Sequence, residues 1–580
     1  MGASIRKAPE IVPDQESNRG DSSAMPRWRV VLVISVIAVL LSGLAYRLVY
    51  LQVSEQDFLR GQGDLRMIRT EVDPAYRGMI SDRNGEPLAV STPVESIWIN
   101  PKYFPDLTSA QLSELAILLG MREAALEKKL KRVKGKQFVY LKRQLPPEQA
   151  QKVLALSIKG LYSQREYKRF YPAGEVAAHL IGFTNLDDQG QEGIELAFND
   201  WLKGTPGKRK VIKDLKGRVV RHIKQVSDAS NGKDIQLSID LRLQYLAYKA
   251  LKEAVVRHSA ESASAVVMDV HTGEVLAMVN QPSYNPNDRS NLKVSSLRNR
   301  AVTDSFEPGS TIKPFTIATA LKSGRYAAST KINTSPGYLR VGRKTIRDHA
   351  NYGKLSLSGI VKKSSNVGTT KLAQNLGSDL IWATLFKAGF GQAPGTGFPG
   401  EANGLLPMQR NFRPIELATL SYGYGLASTP LQLAGAYTSF GNNGLRPEIS
   451  LLALSEKAKE QIRQERVMPE RVASQVLLML ESVTQKGGTA KRAAVPFYRV
   501  GGKTGTVHKV GRDGYQDDSY IAYFAGLAPI SNPKYSVVVT VNGPKGDQYY
   551  GGEVAAPVFS DIVSAAMRLN NVAPDLMAVK

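Results

Sequence analysis

Three short motifs carry the residue types of a nucleophilic serine site. They are S-T-I-K at residues 310–313, S-S-N at 364–366 and K-T-G-T at 503–506, in that order along the 580-residue chain. By composition alone, a chain of this length contains an S-x-x-K or an S-x-N about two times each. A helix cap or a solvated lysine explains either motif taken separately. The order, spacing and context of all three together favour acyl transfer through a serine.

Lys313 is the predicted general base for Ser310. A serine hydroxyl needs a base to attack a carbonyl at neutral pH, and no histidine stands near Ser310 in the sequence. Lys313 follows at i+3 and therefore shares a helical face with Ser310. Burial and a neighbouring cation, for which Lys503 is the candidate, would lower the pKa of Lys313 so that it can accept the proton.

The residues around Ser310 predict the start of a helix. The segment Glu307-Pro-Gly309 ends the preceding stretch, and Pro314 falls in the first turns, where a missing N–H is tolerated. A serine in this place presents its own backbone N–H to a developing oxyanion.

Composition narrows the function classes. The formal net charge is +24, with basic runs at 128–136 and 203–224, which suit a polyanionic partner or, more simply, solvated faces. No zinc-finger spacing and no RNA-binding aromatic signature occurs, so nucleic acid is not expected as a partner. The chain has no cysteine, and its six histidines include no pair at metal-ligand spacing. No cofactor and no metal are therefore expected.

One uncharged apolar segment, Val30–Tyr46, predicts a membrane anchor. It is near the short limit for crossing a bilayer, and the apolar residues 48–51 extend it. Arg27 and Arg29 precede it, which predicts a cytoplasmic N-terminus. A cleaved signal peptide is the alternative, whereas a lipoprotein is excluded because there is no cysteine to acylate.

Five segments are predicted along the chain: a disordered cytoplasmic tail (1–27), a transmembrane anchor (28–50), a mixed non-catalytic pedestal (51–228), a catalytic domain (229–570) and a short tail (571–580). Strand patterns at both ends of the catalytic domain surround a mainly helical stretch at roughly 310–440. This order predicts one sheet assembled from distant segments and an α+β fold class.

Local patterns predict individual elements within these segments. Residues 107–133 have helical spacing with Thr108 as a candidate N-cap, and Asp240 can cap a helix that follows a strand at 235–239. The C-terminal helix is predicted over about 555–569. Further strands are predicted at 264–269, 274–279, 503–505, 521–525 and 535–541.

Longer stretches around these motifs resemble the class B penicillin-binding proteins of the cell-division type, the FtsI group. The resemblance runs from about Trp28 to about Asn570. It is carried by RGMISDRNGEPLAVSTPV at 77–94, RFYPAGEVAAHLIGFTN at 169–185, FEPGSTIKPF at 306–315, KSSNVG at 363–368, YGYG at 422–425 and GGKTGT at 501–506. S-x-x-K, S-x-N and K-T-G motifs occur together in serine β-lactamases and penicillin-binding proteins. The resemblance implies a transpeptidase domain with an antiparallel sheet and packed helices, similar to serine β-lactamases.

The resemblance also implies a role for each catalytic residue. Ser310 would be the acylated nucleophile and Lys313 its general base. Ser364 would pass a proton to the leaving nitrogen of D-alanine, and Asn366 would hold Lys313 and the substrate amide. The backbone N–H groups of Ser310 and Thr506 would form the oxyanion hole.

The implied substrate-binding residues lie in the third motif and in an aromatic pair near the C-terminus. They are Thr504, Gly505, Thr506, Tyr549 and Tyr550. With Lys503, the threonine hydroxyls would bind the terminal carboxylate of D-Ala-D-Ala. The two tyrosines resemble an aromatic wall beside the site, although such a pair at a strand end often only packs.

The activity implied by the resemblance is D,D-transpeptidation of peptidoglycan at the division septum, with β-lactams acylating the same serine as donor mimics. Implied partners are stem peptides, an FtsW-like glycosyltransferase and other division proteins. The implied location is the bacterial inner membrane, with a single pass, a cytoplasmic N-terminus and a periplasmic catalytic domain.

Two other functions remain as alternatives. Elongation-type relatives share the catalytic motifs, and a catalytically idle division scaffold is the non-enzyme alternative. A β-lactamase would usually lack the anchor and the pedestal.

Overall fold

The computed structural model describes residues 27–59, 61, 68–133, 135–213, 219–408, 412–511 and 514–576. These residues form two compact units. One comprises the described residues up to Val72 together with Lys208–Ser227, and the other comprises Asp73–Gly207 together with the described residues from Asp228 onward. The predicted tail at 1–27 lies outside the described residues except for Arg27.

The strands are numbered in chain order. They are β1 (Ile68–Asp73), β2 (Ile80–Ser81), β3 (Pro87–Ile99), β4 (Val139–Leu145), β5 (Leu161–Phe170), β6 (Gly207–Lys213), β7 (Val219–Ser227), β8 (Ile235–Gln236), β9 (Ser262–Asp269), β10 (Val275–Gln281), β11 (Lys331–Asn333), β12 (Tyr338–Val341), β13 (Lys344–Arg347), β14 (Lys354–Ser356), β15 (Leu445–Pro447), β16 (Gln464–Arg466), β17 (Gly501–Gly511), β18 (Gly514–Ala528) and β19 (Tyr535–Asn542).

The α-helices are numbered in the same way. They are α1 (Arg27–Val49), α2 (Ser109–Leu118), α3 (Glu123–Arg132), α4 (Pro147–Ala155), α5 (Ala178–Ile181), α6 (Gly193–Ala197), α7 (Asn199–Leu202), α8 (Leu241–Arg257), α9 (Arg300–Thr303), α10 (Lys313–Lys322), α11 (Leu357–Lys363), α12 (Asn366–Leu376), α13 (Ser378–Lys387), α14 (Pro414–Leu420), α15 (Pro430–Gly441), α16 (Glu456–Glu460), α17 (Glu470–Thr484), α18 (Gly551–Val554) and α19 (Ala556–Leu569).

The first unit contains the apolar helix α1. Among the described residues, the stretch Arg27–Ser54 is the one helix long and apolar enough to cross a membrane, with a mean hydropathy of 2.3 and no residue buried. The same unit holds a three-stranded sheet in the order β1-β6-β7. A helix that is apolar all round and unburied is suited to lipid rather than to water.

The second unit begins with a sheet in the order β4-β3-β2-β8, with β5 paired to β3. Its first part is tied together by a buried carboxylate: Glu195 accepts from Arg77 Nε and from Arg169 Nε, both at 2.6 Å. Strand β8 lies parallel to β2, with Ile80 opposite Ile235. The chain from Asp228 onward is thus joined to the preceding region through a shared sheet.

The central sheet of the catalytic region has the order β10-β9-β19-β18-β17 and every neighbouring pair is antiparallel. Its two faces are covered by different helices. Ser536 Oγ donates to the Ala434 carbonyl of α15 at 2.8 Å, whereas a Cβ on Gly526 would lie 2.7 Å from Phe559 of α19. Ser536 and Gly526 belong to adjacent cross-strand rows of this sheet, and side chains in adjacent rows point to opposite faces. Helices α15 and α19 therefore lie on opposite sides of the sheet.

Most of the local predictions agree with these elements. Asp240 accepts from two backbone N–H groups at the start of α8, and Thr108 forms a capping box with Gln111 at the start of α2. The strand predicted at 235–239 is shorter than expected, because Leu237 leaves β8 to pair with Leu452. The predicted tail from 571 is bound to the domain where it is described: the Asp575 carboxylate accepts from Arg499 N and Ser531 N.

Candidate active site

Ser310 lies in a 3₁₀ turn, Gly309–Ile312, that leads directly into α10. Pro314 occupies the first turn of that helix, as the sequence predicts. Gly309 has a φ of +55°, and a Cβ there would lie 2.5 Å from Val507 Cγ1. Only glycine therefore lets strand β17 approach the serine so closely.

Lys313 is completely buried and its ammonium group is the centre of the site. Four oxygens lie within hydrogen-bonding distance of Nζ and share its three protons: Ser310 Oγ at 2.9 Å, Asn366 Oδ1 at 2.7 Å, and the carbonyl and hydroxyl oxygens of Ser364 at 2.6 and 3.0 Å. Burial and then the nearby Lys503 charge lower the pKa of Lys313 well below that of an ordinary lysine, while Asp348 acts in the opposite direction.

The S-S-N motif connects two helices. Ser364 ends α11 in the left-handed conformation, with a φ of +57°. Ser365 is the N-cap of α12, and its Oγ accepts from Gly368 N at 2.9 Å. Asn366 is the first residue of α12. The sharp turn at Ser364 therefore directs both Ser364 and Asn366 toward Lys313.

The K-T-G-T motif lies on β17. Lys503 is buried, donates to the Thr504 carbonyl at 3.0 Å and to Thr504 Oγ1 at 3.2 Å, and burial lowers its pKa to about 7. Thr506 Oγ1 accepts from Gly551 N at 3.0 Å, which leaves its hydroxyl proton free to donate. A Cβ on Gly505 would lie 2.9 Å from the Pro308 carbonyl, so this glycine permits close packing of the strand against the serine turn.

A cavity of about 550 Å³ opens over this cluster. Of the predicted site residues, those on its wall are Ser310, Ser364, Asn366, Thr504, Thr506, Tyr549 and Tyr550. Lys313 and Lys503 are buried beneath the wall, and Gly505 does not reach it. The structure thus brings the three motifs to one cavity, with the two lysines below and the hydroxyl groups above.

One wall of the cavity is a row of aromatic rings. Tyr520 stacks on Tyr549 with centroids 4.2 Å apart, and Tyr549 stacks on Tyr550 at 4.5 Å. A histidine stands at each end: His508 lies 4.7 Å from Tyr520, and His349 lies 6.2 Å from Tyr550.

Three members of this row, His349, His508 and Tyr520, were not predicted from the sequence. The place of His508 on this wall could have been predicted from the alternation of side chains along β17, because His508 follows Thr504 and Thr506 at a period of two. His349 and Tyr520 gave no such signal, since their place on the wall depends on the packing of separate segments.

The segment before Ser310 is held by a carboxylate. Glu307 Oε1 accepts from Gly425 N at 2.8 Å, and Tyr515 donates its hydroxyl to Glu307 Oε2 at 2.9 Å. This contact joins the serine turn to the Y-G-Y-G loop and to the start of β18. The three segments together fix the backbone on which Ser310 stands.

Comparison with known proteins identifies the family. Residues 263–564 match the model of the penicillin-binding protein transpeptidase domain. The chain belongs to this family. Residues 72–237 of this penicillin-binding protein match the model of the penicillin-binding protein dimerisation domain.

Curated relatives align with this penicillin-binding protein over nearly its whole length. It is 43% identical to the peptidoglycan D,D-transpeptidase FtsI of Escherichia coli, over 95% of this chain and 93% of that protein. It is also 43% identical to the probable peptidoglycan D,D-transpeptidase PbpC of Pseudomonas aeruginosa, over 96% of this chain and 97% of the other. The predicted family is confirmed.

Solved structures agree with the fold. Penicillin-binding protein 3 of Mycobacterium tuberculosis, complexed with aztreonam, matches with a TM-score of 0.67 and 28% identity, over 87% of this chain and 98% of that one. The transpeptidase domain of penicillin-binding protein 3 from Burkholderia pseudomallei matches with a TM-score of 0.55 and 41% identity, over 59% of this chain and 98% of that one. The predicted α+β fold with an antiparallel sheet and packed helices is confirmed.

Proposed function

We propose that this penicillin-binding protein is a septal peptidoglycan D,D-transpeptidase that works through an acyl-enzyme on Ser310. The observation that carries the proposal is the buried Lys313 ammonium, 2.9 Å from Ser310 Oγ and in contact with both Ser364 and Asn366. A lysine whose pKa is lowered by burial and by a neighbouring cation is able to act as a base.

The first half-reaction follows from this geometry. Neutral Lys313 takes the proton of Ser310, and Oγ attacks the carbonyl of the penultimate D-alanine of a donor stem peptide. The backbone N–H groups of Ser310 and Thr506 stabilise the oxyanion. Ser364, which touches the same Nζ, passes the proton to the peptide nitrogen as the C–N bond breaks and D-alanine leaves.

The second half-reaction reverses the proton path. An amine of a neighbouring stem peptide enters where D-alanine was and attacks the ester carbonyl of the acyl-enzyme. Its proton passes through Ser364 to Lys313, and Ser310 Oγ leaves with the proton returned to it. A β-lactam enters the first half-reaction as a donor mimic, but its leaving nitrogen stays attached to the acyl group.

The donor carboxylate fits the K-T-G-T strand. Thr506 has a hydroxyl proton to donate, because its oxygen already accepts from Gly551 N. Thr504 and the buried Lys503 lie on the same side of the site and form hydrogen bonds with each other. A charged lysine below two hydroxyl groups makes a selective site for a carboxylate. Tyr549 and Tyr550 form a flat wall against which apolar parts of the donor peptide pack.

The proposed location is the bacterial inner membrane. Helix α1 would cross it once, with the N-terminus in the cytoplasm because Arg27 and Arg29 stand on that side. The catalytic region would then lie in the periplasm. The domain boundaries at 28, 51, 229 and 571 are proposed from the sequence. An FtsW-like glycosyltransferase and other division proteins are the proposed partners, on the basis of the family.

The deciding experiment traps the acyl-enzyme. Full-length protein is incubated with labelled penicillin, digested and mapped by mass spectrometry. The label is expected on the peptide that contains Ser310 and is expected to be absent from folded Ser310→Ala protein. A folded wild-type protein that takes up no label would instead favour a catalytically idle division scaffold.

A further inference from the structure

Asp348 lies directly behind the S-S-N motif. It follows β13, and its own N–H donates to the Gly337 carbonyl at 2.9 Å. Its Oδ1 accepts from the backbone N–H groups of Asn366 and Val367, at 2.6 and 3.0 Å. Its Oδ2 accepts from Ser365 Oγ at 2.5 Å. One carboxylate therefore binds three consecutive residues.

These contacts fix the first turn of α12. The first N–H groups of a helix have no partner within the helix, and a carboxylate at that end also suits the helix dipole. Ser365 caps the helix from one side through Gly368 N, while Asp348 binds the N–H groups of Asn366 and Val367. The backbone of Asn366 is thus held by a group outside its own helix.

The side chain of Asn366 is fixed by the same segment. Its Nδ2 donates to the carbonyl of Arg347, the residue before Asp348, at 3.0 Å, and its Oδ1 accepts from Lys313 Nζ at 2.7 Å. The orientation of the amide is therefore set at both ends. Any displacement of the loop after β13 would turn the oxygen that holds Lys313.

The charge of Asp348 also reaches Lys313. Lys503 from β17 lowers the pKa of this ammonium, and Asp348 raises it. Burial, the largest cause, acts in the same direction as Lys503. Asp348 therefore opposes the two effects that make Lys313 neutral.

We propose that Asp348 is a positioning residue of the transpeptidase site, which orients Asn366 through the start of α12 and holds a negative charge behind the Lys313 base. This inference rests on the proposed function, because it assumes that Lys313 is the base. An ordinary helix cap would account for the backbone contacts alone. The two explanations differ in the effect of the charge.

The substitution Asp348→Asn distinguishes the positioning role from that of an ordinary helix cap. Asparagine keeps one oxygen that can accept from the N–H groups of Asn366 and Val367, whereas its NH₂ group can only donate toward Ser365 Oγ, so the contacts with the start of α12 are largely retained. Loss of the negative charge lowers the pKa of Lys313, so that the base stays neutral at lower pH. The acid limb of the acylation profile is therefore expected to move to lower pH in the variant.

The measurement is the second-order rate constant of acylation by a fluorescent penicillin, against pH, with full-length protein and with thermal unfolding as the check of folding. Asp379→Asn is the matched control, since Asp379 lies exposed in the first turn of α13, away from the cavity. A shifted acid limb in Asp348→Asn, with the control unchanged, supports the inference. An acid limb at the wild-type pH in folded Asp348→Asn overturns it. Wild-type protein that is not labelled on Ser310 would instead refute the proposed function.

Discussion

Gly423 lies against Gly309, with no space between them for a side chain. A Cβ on Gly423 would lie 1.9 Å from the Gly309 carbonyl oxygen. Gly309 immediately precedes Ser310, so the Y-G-Y-G loop supports the backbone of the serine. Gly425, two residues on, has a similar left-handed conformation but would meet nothing within 4 Å.

Gly423→Ala is therefore expected to lower the acylation rate about tenfold or more, since small misplacement of a reacting group is costly. Gly425→Ala is the matched control, because both substitutions carry the same backbone penalty of about 1–2 kcal/mol. Fluorescent penicillin and thermal unfolding of both variants provide the measurement. Equal acylation by the two variants would show that the close contact of Gly423 with Gly309 does not position the serine.

Lys313→Ala is expected to slow acylation by about two to four orders of magnitude, the range of general-base catalysis. The reason is that Lys313 Nζ is 2.9 Å from Ser310 Oγ and has a lowered pKa. Stopped-flow or gel-based acylation kinetics on folded variant protein measure the change. A loss of less than about tenfold, or 1.4 kcal/mol, would require another base.

The acylation rate is expected to have a bell-shaped dependence on pH. Lys313 must be neutral, so the rate rises with pH on the acid side. Lys503 must be charged to bind the carboxylate, and burial lowers its pKa to about 7, so the rate falls as pH rises through that value. Lys503→Arg keeps its charge at high pH, and its alkaline limb should disappear. An unchanged alkaline limb in folded Lys503→Arg would assign that limb to another group.

A chain that begins near residue 50 is expected to be soluble and to bind penicillin. The physical reason is that the removed helix α1 is apolar and unburied, whereas the catalytic region has its own core. Size-exclusion chromatography without detergent and labelling with fluorescent penicillin test both statements. Labelling that needs detergent would show that further apolar surface contacts the membrane.

Replacement of residues 28–50 by an unrelated single-span helix is expected to preserve penicillin binding and to abolish septal function. Small residues at Ser42, Gly43 and Ala45 allow close approach of another membrane helix, and a Cβ on Gly43 would meet nothing within 4 Å. The chimera is expressed in cells depleted of the native protein, and filamentation is scored. Normal division of the cells that express the chimera would show that the helix serves only as a membrane anchor.

Sequence patterns predicted the parts of the site that depend on local physics. The helix start at Ser310 followed from the Pro-Gly pair before it and from Pro314 after it, and the strand predicted at 503–505 is part of β17. The i+3 spacing also predicted correctly that Lys313 reaches Ser310. These relations lie within one or two turns of chain, where spacing alone determines direction.

Contacts between distant segments could not be obtained in this way. Asp348 binds Asn366 and its neighbours because a hairpin folds back on α12, and Gly423 touches Gly309 because two loops cross. Neither of these two contacts produces a periodic pattern in the sequence. The early end of β8 has the same origin, since Leu237 pairs with Leu452 from far along the chain.

The order of strands in the central sheet has a consequence for the synthesis of the protein. Strand β9 is made early, yet it lies between β10 and β19, with Val266 opposite Val538. While the chain grows from its N-terminus, one edge of β9 stays unpaired until β19 has been added. Such long-range pairing folds slowly and exposes apolar strands in the meantime. The nucleophile is therefore made long before the K-T-G-T strand and the tyrosines that complete the cavity around it.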